Sequence, residues 1–306
     1  MIVDTYTHFW ETPSQLGRIV DGSGGLGAGP GRDRGARMPI NAGTERHLAN
    51  CAHVERTFVL GFRSHYLSAD IPNDRVAAYV RQHPEKLIGF AGIDPSRPRD
   101  AVEEMRRCRN ELGMRGCAIA PAAQDFHPCD SKAEVVYEEA AALHMPIVFH
   151  PGVRIARLSK LEYARPFLLD EIARDLPDLK IVVAHLGYPW VQETLVMLSK
   201  HPNVYADVSW VLHQAWELYQ ALLAAHQHGV MDKLLFGSGF PFSSAAHAIE
   251  SLYSINRLVH GTSLPTIPRE ELRRIVESDA LSRLGLASET SAARGNDRTA
   301  LLDEES

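Results

Sequence analysis

The stretch Pro146-Ile147-Val148-Phe149-His150 is a short apolar run that ends on a histidine, and Lys180-Ile181-Val182-Val183-Ala184-His185 repeats the pattern further along. The segment between these runs, from Leu161 to Leu176, has a helical pattern of apolar residues. Two buried runs rich in β-branched residues with a helix between them are typical of a βα unit on a parallel sheet. These two runs and the helix between them therefore predict a βα unit, which can be sought in the rest of the chain.

The same unit recurs along most of the chain. Eight strands that alternate with helices favour a closed (β/α)8 barrel over an open doubly wound sheet. No GxGxxG motif follows a predicted strand, so we expect no nucleotide cofactor. We predict a single-domain α/β TIM barrel over residues 1–286. Its eight strands are Ile2 to His8, Arg56 to Gly61, Leu87 to Asp94, Gly116 to Ala120, Pro146 to His150, Lys180 to His185, Val204 to Ser209 and Lys233 to Gly237.

Two stretches fall outside this repeat. Residues 20–43 are rich in Gly, Pro, Arg and Asp, so they are expected to form a long loop after the first strand rather than a helix or strand. A loop at this point lies on the face where barrels place their active sites, and both a lid and a disordered insertion remain open. Residues 287–306 are polar with an acidic end, which predicts a disordered tail.

The composition argues against several classes of partner. A formal net charge of -6 and an isoelectric point near 6.2 give no basic field for nucleic acid or anionic lipid. No apolar stretch reaches the ~20 residues of a membrane span, and the N-terminus lacks a signal-peptide pattern. We therefore expect a soluble cytoplasmic protein with no membrane partner. The 4 cysteines show no CxxC spacing and are expected to be reduced.

Chemically active residues occur where the predicted strands end. His8, His150 and His185 end three of the runs, and Asp207 lies near the end of a fourth. The carboxyl ends of barrel strands converge on one mouth, so these side chains are expected to be neighbours. Neutral imidazole binds zinc and other transition ions, and three histidines with a water form a known catalytic zinc arrangement. The pattern predicts an active site at this mouth. The candidate cofactor is a divalent metal ion, and zinc is the ion that this set of histidines favours most.

Four further residues near strand ends are candidates for binding a small-molecule substrate. Tyr6 is expected to donate a phenolic hydrogen bond, and Trp10 is expected to form an aromatic wall. His127 follows the fourth strand, and Arg154 follows the fifth, where its forked guanidinium can pair with a substrate carboxylate. A purely structural or surface role is the alternative for Trp10, His127 and Arg154.

The order and spacing of these motifs resemble the amidohydrolase-related family, in the branch that includes aminocarboxymuconate-semialdehyde decarboxylase and resorcylate-type decarboxylases. The resemblance covers residues 1–286. It rests on Val3-Asp4-x-x-x-His8, His150-Pro151-Gly152, His185-Leu186-Gly187, the Asn203 to Ser209 strand, and Phe236-Gly237-Ser238-x-x-Pro241.

The resemblance implies one divalent metal ion, held by a first-strand His-x-His pair, a fifth-strand His and an eighth-strand Asp, with a sixth-strand His that moves a proton. On this chain the implied metal ligands are His8 and His150, and the implied proton-transfer residue is His185. The first member of the pair is Tyr6, and the eighth-strand Asp is replaced by Gly239. Two of the four implied metal ligands are therefore absent.

The function that the resemblance implies is that of a hydrolase or decarboxylase acting on a small carboxylic acid, and dimers are common in such families. Because the metal site is incomplete, Asp207 is the candidate for a substitute ligand or catalytic base. The alternative is a catalytically inactive barrel that binds a ligand or stabilises a partner subunit. That alternative rests on the residues Tyr6 and Gly239, which stand where the resemblance implies metal ligands.

Overall fold

The computed structural model describes residues 1–19, 42–151, 158–209, 212 and 214–287. The predicted loop over 20–43 lies almost entirely outside the described residues, and so does Arg154. The predicted tail over 287–306 also lies outside them, apart from Ala287.

Eight parallel strands form one barrel, in the order β1, β2, β5, β6, β7, β8, β9, β10. Each predicted apolar run contains one of these strands, and the predicted (β/α)8 barrel is confirmed. A short antiparallel hairpin, β3 with β4, follows the second barrel strand and was not predicted, because its strands are only three residues long. The strands are β1 (Val3–Thr7), β2 (Arg56–Leu60), β3 (Phe62–Ser64), β4 (Ala69–Ile71), β5 (Leu87–Gly92), β6 (Gly116–Ile119), β7 (Ile147–Phe149), β8 (Ile181–Val183), β9 (Val204–Asp207) and β10 (Leu234–Leu235).

The barrel closes where the first strand meets the segment after the last. The Thr5 amide donates to the Phe236 carbonyl at 2.9 Å, and the Gly239 amide donates to the Tyr6 carbonyl at 3.1 Å. These bonds bring Tyr6 and Gly239, the two positions where a metal ligand implied by the resemblance is missing, into direct backbone contact.

Helices surround the barrel and bury one face each against it. The helix α2, for example, buries Val76, Ala77 and Tyr79 and leaves its other side in solvent. The α-helices are α1 (Thr44–Asn50), α2 (Asn73–Gln82), α3 (Pro98–Asn110), α4 (Pro121–Gln124), α5 (Ser131–Ala142), α6 (Asp170–Asp175), α7 (Val191–Lys200), α8 (Ala215–Gln227), α9 (Ala245–Ser254), α10 (Arg269–Val276) and α11 (Ala280–Arg283). Within the described ranges, no helix is long and apolar enough to cross a membrane.

The segment predicted as one helix from Leu161 to Leu176 is broken. Proline has no amide hydrogen and disfavours helical backbone in the residue before it, and Arg165, which precedes Pro166, is extended. Two short 3-10 helices, Leu161–Ala164 and Pro166–Leu169, therefore precede α6.

Aromatic and aliphatic side chains fill the barrel. Phe58 and Phe90 stack with their ring centroids 4.5 Å apart. A Cβ atom at Gly116 would lie 2.3 Å from the Phe90 ring, so only glycine fits beside this pair. Leu284, which follows the last helix, belongs to the same apolar cluster as Val3. This packed interior leaves the carboxyl ends of the strands as the place where polar side chains gather.

Candidate active site

The carboxyl ends of three strands bring an aromatic cluster together. The Tyr6 ring lies between the histidines, with its centroid 5.1 Å from His8, 5.8 Å from His150 and 4.5 Å from His185. Tyr6 lies near the end of β1, and His8, His150 and His185 follow β1, β7 and β8. The parallel register of the barrel therefore accounts for their proximity. Four residues predicted from the sequence to line the site are therefore placed side by side.

His8 is held by the backbone on one side and by Tyr6 on the other. Its Nδ1 is 2.9 Å from the Leu60 carbonyl, and its Nε2 is 3.1 Å from the Tyr6 hydroxyl. A carbonyl only accepts, so Nδ1 carries the proton and Nε2 accepts from the phenol. Burial lowers the pKa of His8 to about 4 and raises that of Tyr6 well above 10. Both groups are therefore uncharged at neutral pH.

His150 and His185 contact each other directly. Their Nε2 atoms are 3.1 Å apart, and the rings meet edge to face with centroids 4.8 Å apart. Burial and the nearby His8 lower the pKa of His150 to about 3. Between two neutral imidazoles at this distance, one Nε2 must carry a proton and the other must accept it. The pair therefore holds a proton at the mouth of the barrel.

The backbone at His185 adopts a rare conformation. His185 and Leu186 have φ values of 58° and 52°, which are left-handed and unfavourable for residues other than glycine. The Asp207 Oδ1 atom accepts from the His185 amide at 3.2 Å and so helps to hold this turn. Such strain is concentrated at functional sites, where the surrounding structure maintains it.

Asp207, predicted as a base or substitute ligand, lies behind His185. It is fully buried, and Oδ1 also accepts from the Ser209 amide at 2.9 Å and from the Ser209 hydroxyl. Burial raises the pKa of Asp207 to about 6, and the hydrogen bonds from Ser209 and His185 oppose that rise. The carboxylate therefore binds the backbone amide of His185 directly and is connected to the His185 ring through the Ser209 hydroxyl.

A second buried carboxylate, Asp4, lies at the base of the site. Its Oδ1 accepts from the Ser238 amide at 2.8 Å and from the Tyr6 amide at 3.3 Å. Burial raises the pKa of Asp4 to about 7, with a smaller contribution from the charge of Asp207. Asp4 thus connects the first strand to the segment after the last one.

The remaining predicted substrate-binding residues are less central. Trp10 is buried, with its ring centroid 6.5 Å from that of Phe242. The ring centroids of His127 and Tyr163 are 5.5 Å apart, and Tyr163 lines a small cavity together with His150. His127 is therefore separated from the central cluster by Tyr163.

Ser209 was not among the residues predicted from the sequence. Its hydroxyl lies 2.7 Å from His185 Nδ1, on the opposite side of that ring from His150. The signal in the sequence is its spacing, because residues two apart in an extended segment point to the same side, and Asp207 already marked that side.

The residues present do not fit the metal site that the resemblance implies. Within the described part of the chain, no group of three or more His, Cys, Asp or Glu side chains is placed to hold a metal ion. The Nε2 of His8 faces the Tyr6 hydroxyl, and a phenol that keeps its proton is a poor ligand. Gly239 supplies no carboxylate to balance the charge of a dication.

The backbone at Gly239 still leaves room for a side chain. A Cβ atom there would lie 3.4 Å from the Ser209 carbonyl oxygen, which is ordinary contact. The φ value of 75° is left-handed, which Asp and Asn tolerate better than most residues. Position 239 therefore provides no carboxylate, although the surrounding packing leaves room for one.

Comparisons with known proteins agree with this fold. A family model described as Amidohydrolase matches residues 3–282. The 2-amino-3-carboxymuconate-6-semialdehyde decarboxylase of Dictyostelium discoideum is 25% identical over 130 residues, which cover 38% of this chain and 36% of that protein. Gamma-resorcylate decarboxylase of Rhodococcus jostii is 24% identical over 166 residues, which cover 44% of this chain and 49% of that protein. The chain thus spans less than half the length of either of these curated relatives.

One solved neighbour is a dihydroxybenzoic acid decarboxylase from Polaromonas, determined with bound manganese and the inhibitor 2-nitroresorcinol. It superposes with a TM-score of 0.63 at 18% identity, covering 94% of this chain and 98% of that one. At this identity the likeness shows the shared barrel alone. The family model, by contrast, matches nearly all of the described chain, and the protein therefore belongs to the amidohydrolase family.

Proposed function

We propose that this protein is an enzyme of the decarboxylase branch of its family, a carboxy-lyase acting on a small aromatic or unsaturated carboxylic acid. The observation that carries the proposal is the His150–His185 pair, which holds a proton at the mouth of the barrel. The curated relatives described above, both decarboxylases, support the same reaction class.

The proposed reaction needs a proton donor and no oxidant. A proton passes to the carbon that carries the carboxylate, the bond from that carbon to the carboxylate breaks, and its electron pair returns to the unsaturated system as CO2 leaves. His185 takes up on Nε2, beside His150, the proton that enters with the substrate's carboxylic acid group, and delivers it to that carbon. Burial lowers the pKa of His150 to about 3, so an extra proton taken up by this pair is held weakly, which favours its transfer to carbon.

Tyr6 is proposed to bind the substrate beside this pair. Its ring lies nearest to His185 among the three histidines, and its hydroxyl keeps its proton. The phenol donates this one proton to His8 Nε2 in the structure, and in the proposed complex it turns to donate it to a substrate oxygen instead. Burial of these residues excludes water, which strengthens each such bond.

Manganese in the Polaromonas neighbour supports a divalent metal ion as a cofactor of this kind of barrel, and it does not distinguish zinc. The donors of this chain do not fit such an ion, so the chain's own side chains perform each step of the proposed reaction. Zinc, which three histidines favour, and manganese are both included in the assays below.

The test is CO2 release from gamma-resorcylate, related hydroxybenzoates and unsaturated amino acids with a free carboxylate. We expect His185→Ala and His150→Ala each to lower kcat by roughly 10²- to 10⁴-fold, the usual contribution of an acid–base group. His226→Ala is the matched control, because His226 pairs with Glu271 at 2.7 Å on the helical layer. Full activity in the His185 variant would contradict the assignment.

The second candidate is an inactive barrel that binds a ligand or a partner subunit. The specific observation in its favour is the loss of two metal ligands at Tyr6 and Gly239. No CO2 release and no hydrolysis of any acid in the panel, with or without zinc or manganese, combined with saturable binding of one acid, would favour this candidate.

A further inference from the structure

The geometry around His185 contains a hydrogen-bonded chain that ends in a carboxylate. Ser209 lies between Asp207 and His185, with its hydroxyl contacting Asp207 Oδ1 on one side and His185 Nδ1, at 2.7 Å, on the other. Ser209 and Asp207 are both fully buried, and His185 is nearly so. Solvent therefore does not compete for these bonds.

The positions of the protons in this series of hydrogen bonds follow from how many protons each group carries. An ionised carboxylate only accepts, so the single hydroxyl proton of Ser209 points to Asp207. The Ser209 oxygen then accepts from His185, whose proton must be on Nδ1. Neutral His185 is thereby left with its lone pair on Nε2, the atom that lies 3.1 Å from His150 Nε2.

The opposite arrangement is unfavourable. If the Ser209 hydroxyl donated to His185, no proton would lie between the Ser209 oxygen and the Asp207 carboxylate, and two lone pairs would face each other in a buried site. An unmade bond to a buried charged group is costly, because the group has lost its water and gains no partner. The backbone amide of Ser209 also donates to Asp207, at 2.9 Å, and keeps the carboxylate in place.

We infer that Ser209 is a positioning residue that fixes His185 as the Nδ1–H tautomer and so places the Nε2 lone pair at the mouth of the barrel. This inference rests on the proposed function only for its kinetic consequence. Within the proposed reaction, Nε2 is the atom that takes up and delivers the proton, and His150 is its partner. Ser209 itself does not touch the substrate.

The test is the 15N spectrum of the imidazole nitrogens in protein labelled at histidine, with the His185 signals assigned by their loss in His185→Gln. We expect wild type to show a protonated Nδ1 and an unprotonated Nε2 for His185. Ser209→Ala is expected to release this preference, with Nε2–H becoming the major form. Ser209→Thr, which keeps the hydroxyl, is expected to restore the wild-type pattern.

Ser64→Ala is the matched control for loss of a buried serine hydroxyl. Ser64 is also fully buried and donates to the Ala123 carbonyl at 2.7 Å, and it belongs to the hairpin of β3 and β4. This variant is expected to leave the His185 signals unchanged. A wild-type signal from Nε2–H, or an unchanged tautomer in folded Ser209→Ala, would overturn the inference.

Kinetics separate this inference from the proposed function. With a substrate in hand, Ser209→Ala is expected to lower kcat by about 10- to 100-fold, a part of the ~10²- to 10⁴-fold effect of the acid–base group, with KM little changed. If the spectra agree and no acid is decarboxylated, the positioning role stands and the proposed reaction fails. An unchanged kcat in an active enzyme would overturn the kinetic part.

Discussion

The buried carboxylate Asp4 provides a prediction about stability and pH. Replacing it by asparagine, Asp4→Asn, removes the charge and keeps an oxygen that can accept from the Ser238 and Tyr6 amides. Wild type must bury a carboxylate above pH 7, and the variant never does. The difference in stability between the two proteins should therefore depend on pH.

The sign and size of this dependence follow from the pKa. Burial raises the pKa of Asp4 to about 7 from its ordinary value of 3.8. A carboxyl group with a raised pKa in the fold favours folding below pH 4, and that contribution is lost as the pH rises through 7. At about 1.4 kcal/mol for each pH unit between the two pKa values, wild type loses about 4 kcal/mol relative to Asp4→Asn.

The assay is urea unfolding of both proteins from pH 4 to pH 8, with the difference in unfolding free energy plotted against pH. Taking the difference cancels the titrating groups that do not interact with Asp4; the charge of Asp207, which does, makes a smaller contribution. Asp207→Asn provides a graded comparison, because burial raises the pKa of Asp207 only to about 6. Its difference curve should level off near pH 6, at about 3 kcal/mol. A flat curve for Asp4→Asn would refute the reasoning.

Three further predictions concern the site and the core. Tyr6→His combined with Gly239→Asp should bind zinc or manganese stoichiometrically by elemental analysis, whereas wild type should not. A stoichiometric ion in wild type that is lost on His150→Ala would contradict this expectation. Gly237→Ala places a Cβ atom 2.9 Å from Tyr6 Cβ, so unfolding should show a loss of about 1–3 kcal/mol from overpacking. Phe58→Ala removes one ring of a buried stack and should cost about 3–5 kcal/mol in the same assay, and a loss below 1 kcal/mol would argue against a tightly packed interior.

The barrel could be predicted from the sequence because its strands are buried on both faces. Continuous apolar runs such as Ile147–Phe149 and Ile181–Val183 indicate this burial, because they have no polar residue that would face solvent. The break at Pro166 was missed because the apolar pattern on either side of it continues, and the proline acts on the backbone rather than on that pattern. The hairpin of β3 and β4 was missed because three-residue strands leave too little periodicity to detect.

The residues of the site were easier to predict than their connections. His8, His150 and His185 stand at strand ends, so topology alone brings them to one mouth. The role of Ser209 depends on which atom donates and which accepts, and no spacing rule encodes that information. The left-handed backbone at His185 is also invisible in the sequence, since only a few per cent of residues other than glycine adopt it.

The hydrogen bond between the Gly239 amide and the Tyr6 carbonyl has a consequence for how this site can change over time. Tyr6 and Gly239, the two positions where a ligand implied by the resemblance is missing, are adjacent on the seam where the first and last barrel strands meet. A mutation at either one alters the surroundings of the other. Introduction of a metal site at this seam would therefore require paired substitutions, and the order in which they occur would decide which intermediates fold and function.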